Sequence, residues 1–219
     1  DHRNLACTLI TGVTFTKAQR KNTHVLISVL GMSGSGKTYS AILMARGLVG
    51  PQGKIAMLDT ENGSDFVKEI CDLEGVPLLV MKSRAFADMK AALKEAEQAK
   101  CCAYLVDSYT APWNELTGTF KEKSKRKRLE FHHMDQLKSM WGVWTQQMLN
   151  SPLHIILSGR LGFEWGEEET DEGRNLIKLG TKMKSESEAG YEPSLLLEME
   201  SLQDADVRVK QTRMKRGTI

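Results

Sequence analysis

Short runs of aliphatic residues alternate along the chain with longer segments that carry apolar residues at helical spacing. Five runs are nearly continuously apolar and are bounded by Gly, Pro, Asp or Ser, a pattern typical of strands that are buried on both faces of a parallel sheet. They are residues 25–30, 55–58, 78–81, 103–106 and 154–157. The alternation predicts an α/β fold in which helices flank a mostly parallel central sheet.

Three longer segments have the spacing of helices that pack on such a sheet, and they are residues 39–48, 86–100 and 129–149. In the second segment one apolar stripe recurs at helical spacing, formed by Phe86, Met89, Leu93 and Ala96. Such a stripe predicts packing rather than chemistry.

Two polar stretches interrupt the alternation, residues 113–128 and residues 162–192. We interpret both as insertion loops, because long polar segments in a compact domain are typically functional loops. Residues 195–199 and 207–210 are further predicted strands, which indicate a C-terminal β-hairpin extension of the sheet. The predicted domains are an N-terminal extension, residues 1–22, and one core, residues 23–219.

Composition narrows the class of protein. The chain has 219 residues, of which 41% are hydrophobic and 26% charged, so it is neither disordered nor collagen-like. Its net charge of +2 is too small to draw the whole molecule to nucleic acid or to a membrane. The chain lacks both an apolar stretch of about 20 residues and a secretory signal, which favours a cytoplasmic protein. The four cysteines are expected to be reduced, buried thiols.

A phosphate-binding loop follows the first predicted strand and precedes the first predicted helix. Residues 31–38, GMSGSGKT, match the pattern G-x-x-x-x-G-K-[ST]. The glycines let successive backbone N–H groups point at phosphate oxygens, Lys37 is placed to reach the β- and γ-phosphates, and Thr38 to bind Mg²⁺. The predicted nucleotide-binding residues are Gly31, Met32, Ser33, Gly34, Ser35, Gly36, Lys37, Thr38 and Tyr39.

Acidic residues at the ends of two further strands determine what such a loop does. Asp107 ends the fourth apolar run and is followed by Ser108, an arrangement that brings a carboxylate beside the phosphate loop and its metal. Asp59 and Glu61 follow the second run. Either could activate water; alternatively, Asp59 closes a loop and Glu61 is a solvated surface acid.

These motifs together resemble the RecA superfamily of ATPases, and most closely phage-encoded, single-domain RecA-like ATP-binding proteins, some of which are single-strand annealing or recombination factors. The resemblance covers about residues 15–160. It implies that Glu61 positions the attacking water and that Asp107 is linked to Mg²⁺. It also implies that Ser158 or Arg160 reads the γ-phosphate, at positions where RecA-like proteins often have Asn and Gln.

Because RecA-like ATPases commonly form rings or filaments, the resemblance implies a homo-oligomer in which basic residues reach the nucleotide of a neighbouring subunit. Candidates for this role are Lys210 and Arg213, in a segment similar to the Lys-x-Arg hairpin of related helicases but one residue longer. Lys182 and Lys184 are the other candidates. Solvated surface cations are an equally good interpretation of each.

A basic segment is the candidate nucleic-acid loop. Six of its eight residues are basic, namely Lys121, Lys123, Lys125, Arg126, Lys127 and Arg128. Such a cluster neutralises phosphates, and the nearby Trp113, Phe120 and Phe131 are candidates to stack on unpaired bases. The alternatives are a solvated segment, one that pairs with the acidic residues 164–172, or a protein-docking surface.

The predicted function is therefore a Mg²⁺-dependent ATPase that couples nucleotide state to oligomerisation and to single-stranded DNA binding in recombination or replication. If the chain is encoded by a phage, the location is the cytoplasm of the bacterial host. The alternative function is a nucleotide-gated adaptor that binds a protein partner. The adjacent His132 and His133 are expected to point to different helix faces, which disfavours a metal site there.

Overall fold

The structure is a computed structural model that describes residues 24–200 except 74, 126–128, 171–172 and 188. Its elements in chain order are β1 (Leu26–Gly31), α1 (Lys37–Val49), β2 (Ile55–Asp59), α2 (Ser64–Leu73), β3 (Leu78–Lys82), α3 (Phe86–Gln98), β4 (Ala103–Asp107), α4 (Thr110–Ser124), α5 (Phe131–Leu149), β5 (His154–Thr170), β6 (Gly173–Met183) and β7 (Leu195–Met199). The predicted α/β fold is confirmed, and all five predicted apolar runs are strands.

The sheet has the order β3-β2-β4-β5-β1-β7, and neighbours along this path are parallel. Strand β5 lies between β1 and β4, so one strand separates the phosphate loop from Asp107. The register pairs Asp59 with Asp107, Asp107 with Ser158, and Gly31 with Arg160. The carboxyl ends of these strands therefore meet at one edge of the sheet, where ligands of open α/β sheets bind.

Helices cover both faces of the sheet and enclose two clusters of buried side chains. Helices α1 and α2 contribute to one cluster, where Ile42 and Cys71 are fully buried. Helices α3, α4 and α5 contribute to the other, which contains the predicted stripe of α3 and the buried Trp141 and Trp144. This packing confirms that the stripe belongs to the core.

The first predicted insertion loop is largely helical. Residues 113–124 lie within α4, because Pro112 suits the first helical turn and Leu116 is buried against the core. Trp113 also packs on this cluster, with its ring 5.1 Å from that of Trp141. The polar positions that indicated a loop form the solvent-facing side of the helix.

The second predicted loop is mainly an antiparallel hairpin. Strand β5 continues to Thr170 and pairs with β6 from Leu161 to Thr170. The predicted strand at 195–199 is confirmed as β7, but it pairs in parallel with β1 and not in a hairpin. The hairpin that extends the sheet is thus formed by β5 and β6, and the predicted strand at 207–210 lies outside the described residues.

Two smaller expectations were wrong. Strand β3 is at the edge of the sheet, and its side chains are half-buried or exposed rather than buried on both faces. Cys102 is exposed, whereas Cys71 and Cys101 are buried free thiols. Among the described helices, the structure contains none that is long and apolar enough to cross a membrane.

Candidate functional site

The phosphate loop connects the carboxyl end of β1 to the first turn of α1. Gly34 and Gly36 have φ angles of 81° and 87°, which L side chains rarely adopt. A Cβ at Gly31 would lie 2.5 Å from Ser35 Oγ and 2.9 Å from the carbonyl oxygen of Met199 in β7. The glycines therefore allow the backbone to curl at the amino end of α1, where unpaired N–H groups and the helix dipole favour an anion.

The side chains of the loop divide into exposed and inward-facing ones. Met32 and Tyr39 are 50% and 43% exposed, and Ser33 is also exposed. Lys37 Nζ donates a hydrogen bond of 2.7 Å to the Met32 carbonyl oxygen, so the ammonium group lies over the loop. Burial lowers the pKa of Lys37, while the negative charges of Asp107 and Glu61 oppose this shift.

Thr38 and Asp107 meet beside the loop. Thr38 Oγ1 donates to Asp107 Oδ2 at 2.5 Å, and Asp107 is only 2% exposed. Burial raises the pKa of the Asp107 carboxyl, although the hydrogen bond from Thr38 acts in the opposite direction. A hydroxyl and a buried carboxylate are oxygen ligands of the kind that Mg²⁺ prefers, and a cation would offset the cost of burying this charge. The residues present therefore fit Mg²⁺.

Asp59 organises the loop that follows β2. Its carboxylate accepts hydrogen bonds from the backbone N–H groups of Glu61, Gly63 and Ser64 at 2.9–3.0 Å, and from the Ser64 hydroxyl. Burial opposes its ionisation, but these hydrogen bonds outweigh burial and lower the pKa of Asp59. With its oxygens engaged in this way, Asp59 fits the loop-closing interpretation better than the activation of water.

Glu61 is held by Arg160. Glu61 Oε1 accepts hydrogen bonds from Arg160 Nε at 3.0 Å and from Arg160 Nη2 at 2.7 Å. Both side chains remain open to solvent, 35% exposed for Glu61 and 55% for Arg160. The Arg160 backbone N–H donates to Thr110 Oγ1 at 3.0 Å, which anchors the end of the buried part of β5 to the start of α4. The structure thus brings the four predicted catalytic residues, Lys37, Glu61, Asp107 and Arg160, to one edge of the sheet.

Gly63 is a site residue that sequence reasoning missed. A Cβ at this position would lie 2.9 Å from Thr38 Cγ2 and 3.0 Å from Asp107 Oδ2. The loop after β2 therefore approaches the Thr38 and Asp107 pair so closely that a side chain would displace one of them. The available signal was the glycine itself, two residues after Glu61 in a loop that begins with Asp59.

Comparison with known families agrees with this geometry. A family model described as an AAA domain matches residues 23–217. The chain belongs to this AAA domain family. Among curated proteins, no match to the chain was found. Membership makes the chain a P-loop NTPase and indicates nucleotide binding and hydrolysis as the general activity of the AAA domain.

The predicted trans-acting cations fall in different parts of the AAA domain. Lys182 lies on β6 with its Nζ 4.0 Å from Glu164 Oε1. The Lys184 backbone N–H donates to the Arg160 carbonyl oxygen at 2.8 Å. The backbone of Lys184 therefore lies next to the candidate site of its own chain. Lys210 and Arg213 lie outside the described residues.

The basic segment begins at the C-terminal end of α4. Lys121, Lys123 and Lys125 are exposed, while Arg126, Lys127 and Arg128 lie outside the described residues. A groove next to them is lined by Phe120, Lys123, Ser124, His132, His133 and Gln136. Among the described residues, the acids of the hairpin pair locally, Glu167 and Glu169 with Arg174 and Glu164 with Lys182. The alternative that the acidic residues 164–172 pair with the basic segment stays open, because residues 126–128 and 171–172 lie outside the described residues.

Two of the three candidate aromatic stacking residues are not open platforms. Trp113 and Phe120 are half-buried and pack against the core, and Phe120 also contacts the His133 ring at 5.6 Å. The side chain of the third, Phe131, lies outside the part of the chain that the structure describes.

The adjacent histidines do not diverge as expected. The ring centroids of His132 and His133 are 3.9 Å apart, and both rings lie near Glu130 at the start of α5. His133 Nδ1 accepts a hydrogen bond of 3.1 Å from the Glu130 backbone N–H, so this ring caps the helix. The cluster forms because the N-terminal turn of a helix lets a side chain fold back on the residue before it.

Proposed function

We propose that this AAA domain is a Mg²⁺-dependent ATPase of the RecA-like type, in which hydrolysis is coupled to assembly and to single-stranded DNA. The observation that supports it best is the meeting of Lys37, Thr38, Asp107, Glu61 and Arg160 at the carboxyl edge of the sheet. The phosphate loop alone is compatible with several reactions. A second acid that is exposed beside the loop favours attack by water.

The loop residues bind and orient the triphosphate. Backbone N–H groups at the amino end of α1 would donate to its oxygens. Lys37 would leave the Met32 carbonyl and bind the β- and γ-phosphates. Thr38 and Asp107 would hold Mg²⁺, which supplies positive charge to offset the charge of the phosphates. The buried position of Asp107 keeps that carboxylate fixed.

Glu61 orients the attacking water and accepts its proton. In the described arrangement its carboxylate is engaged by Arg160, and the γ-phosphate is a competing anion for the same guanidinium. When Arg160 turns to the phosphate, Glu61 becomes free to bind water. Of the two sensor candidates, this contact favours Arg160, because Ser158 is fully buried opposite Asp107.

The basic end of α4 is the proposed DNA surface. Lys121, Lys123 and Lys125 are exposed, so they can neutralise phosphates with an affinity that falls as salt rises. We further propose a homo-oligomer, a ring or filament, with Lys182, Lys184, Lys210 and Arg213 as candidate trans-acting residues. The proposed setting is recombination or replication, in the bacterial cytoplasm if the chain is phage-encoded.

The packing of Trp113 and Phe120 into the core supports a second function. With these two rings packed against the core, the described part of this surface offers DNA mainly phosphate contacts, and a cluster of exposed lysines also suits an acidic protein partner. In this second function the chain is a nucleotide-gated adaptor, and DNA leaves its turnover unchanged.

Steady-state ATP hydrolysis with Mg²⁺ tests the proposal, with and without long single-stranded DNA at two salt concentrations, while particle mass is followed. We expect turnover that Lys37→Ala abolishes, stimulation by DNA that weakens with salt, and growth in mass on DNA. The variant K121E/K123E should lose the stimulation and keep basal turnover. The matched variant K68E/K94E reverses two exposed lysines of α2 and α3 and should keep both.

Two results would contradict parts of this proposal. ATP binding without hydrolysis would overturn the ATPase. Hydrolysis that neither DNA nor K121E/K123E alters would overturn the DNA surface and favour the adaptor.

A further inference from the structure

A few polar side chains of the described residues are buried without a hydrogen-bond partner. Three of them are serine hydroxyls, those of Ser28, Ser108 and Ser158, and none of these residues is more than 1% exposed. An unpaired hydroxyl in the interior lowers stability, so its presence calls for a physical reason. Ser158 is the completely buried one, and it lies in the strand next to Asp107.

The side chains of Ser158 and Asp107 lie on the same face of the sheet. In β5, Ile156 belongs to the cluster that α1 covers and Leu157 to the cluster on the other face. The last two apolar residues of β4 alternate in the same way. Because successive side chains of a strand point to opposite faces, Ser158 and Asp107 both point towards α1. The register pairs these two residues directly.

The carboxylate of Asp107 is enclosed from several sides. Thr38 Oγ1 donates to it from α1, and the loop after β2 approaches it at Gly63. Burial raises the pKa of Asp107, and the hydroxyls of Thr38 and Ser158 oppose this shift, which supports a position of Ser158 close to the carboxylate. The Ser158 carbonyl oxygen accepts a hydrogen bond of 2.7 Å from the Tyr109 N–H, so the backbone that carries the hydroxyl is fixed.

We propose that Ser158 is a positioning residue of the metal site, whose hydroxyl donates to Asp107 and holds this carboxylate towards Mg²⁺. This inference rests on the proposed function, in which Thr38 and Asp107 hold the metal. Because Ser158 is completely buried, it acts through Asp107 and does not touch the nucleotide. Substituting a residue that orients a metal ligand typically lowers metal affinity about 10–100-fold.

Ser28 provides the matched control. It lies in β1, next to β5, and its hydroxyl is likewise buried and unpaired. Its neighbours Ile27 and Val29 belong to the cluster that α1 covers, so Ser28 points to the opposite face, away from Asp107. Removal of either hydroxyl takes away an unpaired buried group, but only the one at Ser158 is directed to the metal ligand.

Direct metal binding tests the proposal without hydrolysis. Mn²⁺ stands in for Mg²⁺, because both prefer oxygen ligands and electron paramagnetic resonance measures the free Mn²⁺ ion. With ADP kept below the protein concentration, Ser158→Ala should bind Mn²⁺ at least about tenfold more weakly than the wild-type chain. Ser28→Ala should bind Mn²⁺ as the wild type does. In EDTA, Ser158→Ala and the wild type should bind ADP equally, because Ser158 acts only through the metal ligand.

A second pair of variants separates the hydroxyl from packing. Ser158→Thr and Ser158→Val add nearly the same bulk to the buried position and differ in one hydroxyl. Ser158→Thr should bind Mn²⁺ at least about tenfold more tightly than Ser158→Val. Melting curves without metal or nucleotide identify the folded variants, and Ser158→Ala should lose no more stability than Ser28→Ala. If neither larger residue is tolerated, the comparison of these two alanine variants decides.

Four results would overturn the proposal: wild-type Mn²⁺ affinity in Ser158→Ala, equal weakening in Ser28→Ala, equal affinities in folded Ser158→Thr and Ser158→Val, or weaker ADP binding by Ser158→Ala in EDTA. The last result would assign Ser158 to the nucleotide. A wild-type chain that binds ADP but no Mn²⁺ would remove the metal site and this proposal with it. Binding of Mn²⁺ as expected without ATP hydrolysis would contradict the ATPase and support the role of Ser158.

Discussion

Strand β5 crosses two different environments. Its first part, from His154 to Ser158, lies between β1 and β4 under helices on both faces, and Ile156 and Ser158 are fully buried there. Its second part, beyond Leu161, pairs with β6, and Trp165 on it is 58% exposed. Arg160 lies between the two parts. The comparison teaches that the candidate site is supported by the buried core, while the same strand continues into a solvent-exposed hairpin.

The largest expected effect is a loss of ATP turnover when Glu61 in the candidate site is substituted, compared with an exposed glutamate elsewhere on the surface. Glu61→Gln keeps the size of the side chain but removes the carboxylate that accepts a proton from water, so turnover should fall about 10²–10⁴-fold while ATP binding is retained. Glu69→Gln, on an exposed position of α2, is the control and should leave turnover unchanged. The measurement is single-turnover hydrolysis together with ATP titration. Unimpaired turnover in the Glu61 variant would remove this residue from the proposed mechanism.

Leucine-to-alanine substitution should have a large effect on stability in the buried part of β5 and a small effect in the hairpin. Leu157 is 1% exposed, so Leu157→Ala should lower the free energy of unfolding by about 2–5 kcal/mol. Leu176 is 71% exposed, and Leu176→Ala should change it by less than about 0.5 kcal/mol. Urea unfolding at low protein concentration measures both. Equal losses would show that the hairpin is as tightly packed as the core.

Two glycines, one near the core and one on the hairpin, allow the same comparison with a smaller expected effect on stability. A Cβ at Gly159 would clash with the side chain of Met183, which is 8% exposed, whereas a Cβ at Gly180 would meet nothing within 4 Å. Gly159→Ala should therefore cost about 1–3 kcal/mol of unfolding free energy. Gly180→Ala should change it by less than about 1 kcal/mol. If thermal melting ranks the two variants in the opposite order, the packing of β6 against the buried end of β5 is wrong.

The smallest expected effect is a gain in stability. Because burial raises the pKa of Asp107, the folded chain binds a proton at this carboxyl more tightly than the unfolded chain. The free energy of unfolding therefore falls as pH rises from the ordinary pKa of an aspartate to the raised one, and this loss of stability persists at higher pH. Asp107→Asn should melt at a higher temperature than the wild-type chain at pH 7 without nucleotide or Mg²⁺.

The matched control for this prediction is Asp135→Asn, at an exposed position of α5, which should leave the melting temperature unchanged. Both variants are compared across pH by calorimetry. A lower melting temperature for Asp107→Asn would mean that the charge of Asp107 stabilises the fold.

Local sequence patterns were enough to predict the elements whose conformation depends mainly on their own residues. The five apolar runs are strands because their residues are buried by neighbours on both sides, and only the edge strand β3 departs from this. The phosphate loop was predictable because its glycines and Lys37 act through local backbone geometry. Helix α4 was missed since its polar side faces solvent and only a few residues, such as Leu116, face the core.

The contacts within the candidate site were less predictable. Glu61 and Arg160 are 99 positions apart in the chain, and their ion pair depends on the order of the strands. Gly63 has its role only because Thr38 and Asp107 lie against it. The convergence of His132 and His133 likewise depends on how Glu130 begins α5, which spacing alone does not show.

By itself the sequence determined that the chain is an α/β protein with a phosphate loop, and which acids follow its buried strands. Each of these is evident in patterns within a few residues, namely continuous apolar runs, which require burial, and glycines, which permit unusual backbone angles. Only the tertiary structure decided that Arg160 holds Glu61, that Asp59 closes a loop, and that β5 leaves the core to form a charged arm. These depend on which strands become neighbours, because parallel pairing brings together residues that are far apart in the chain.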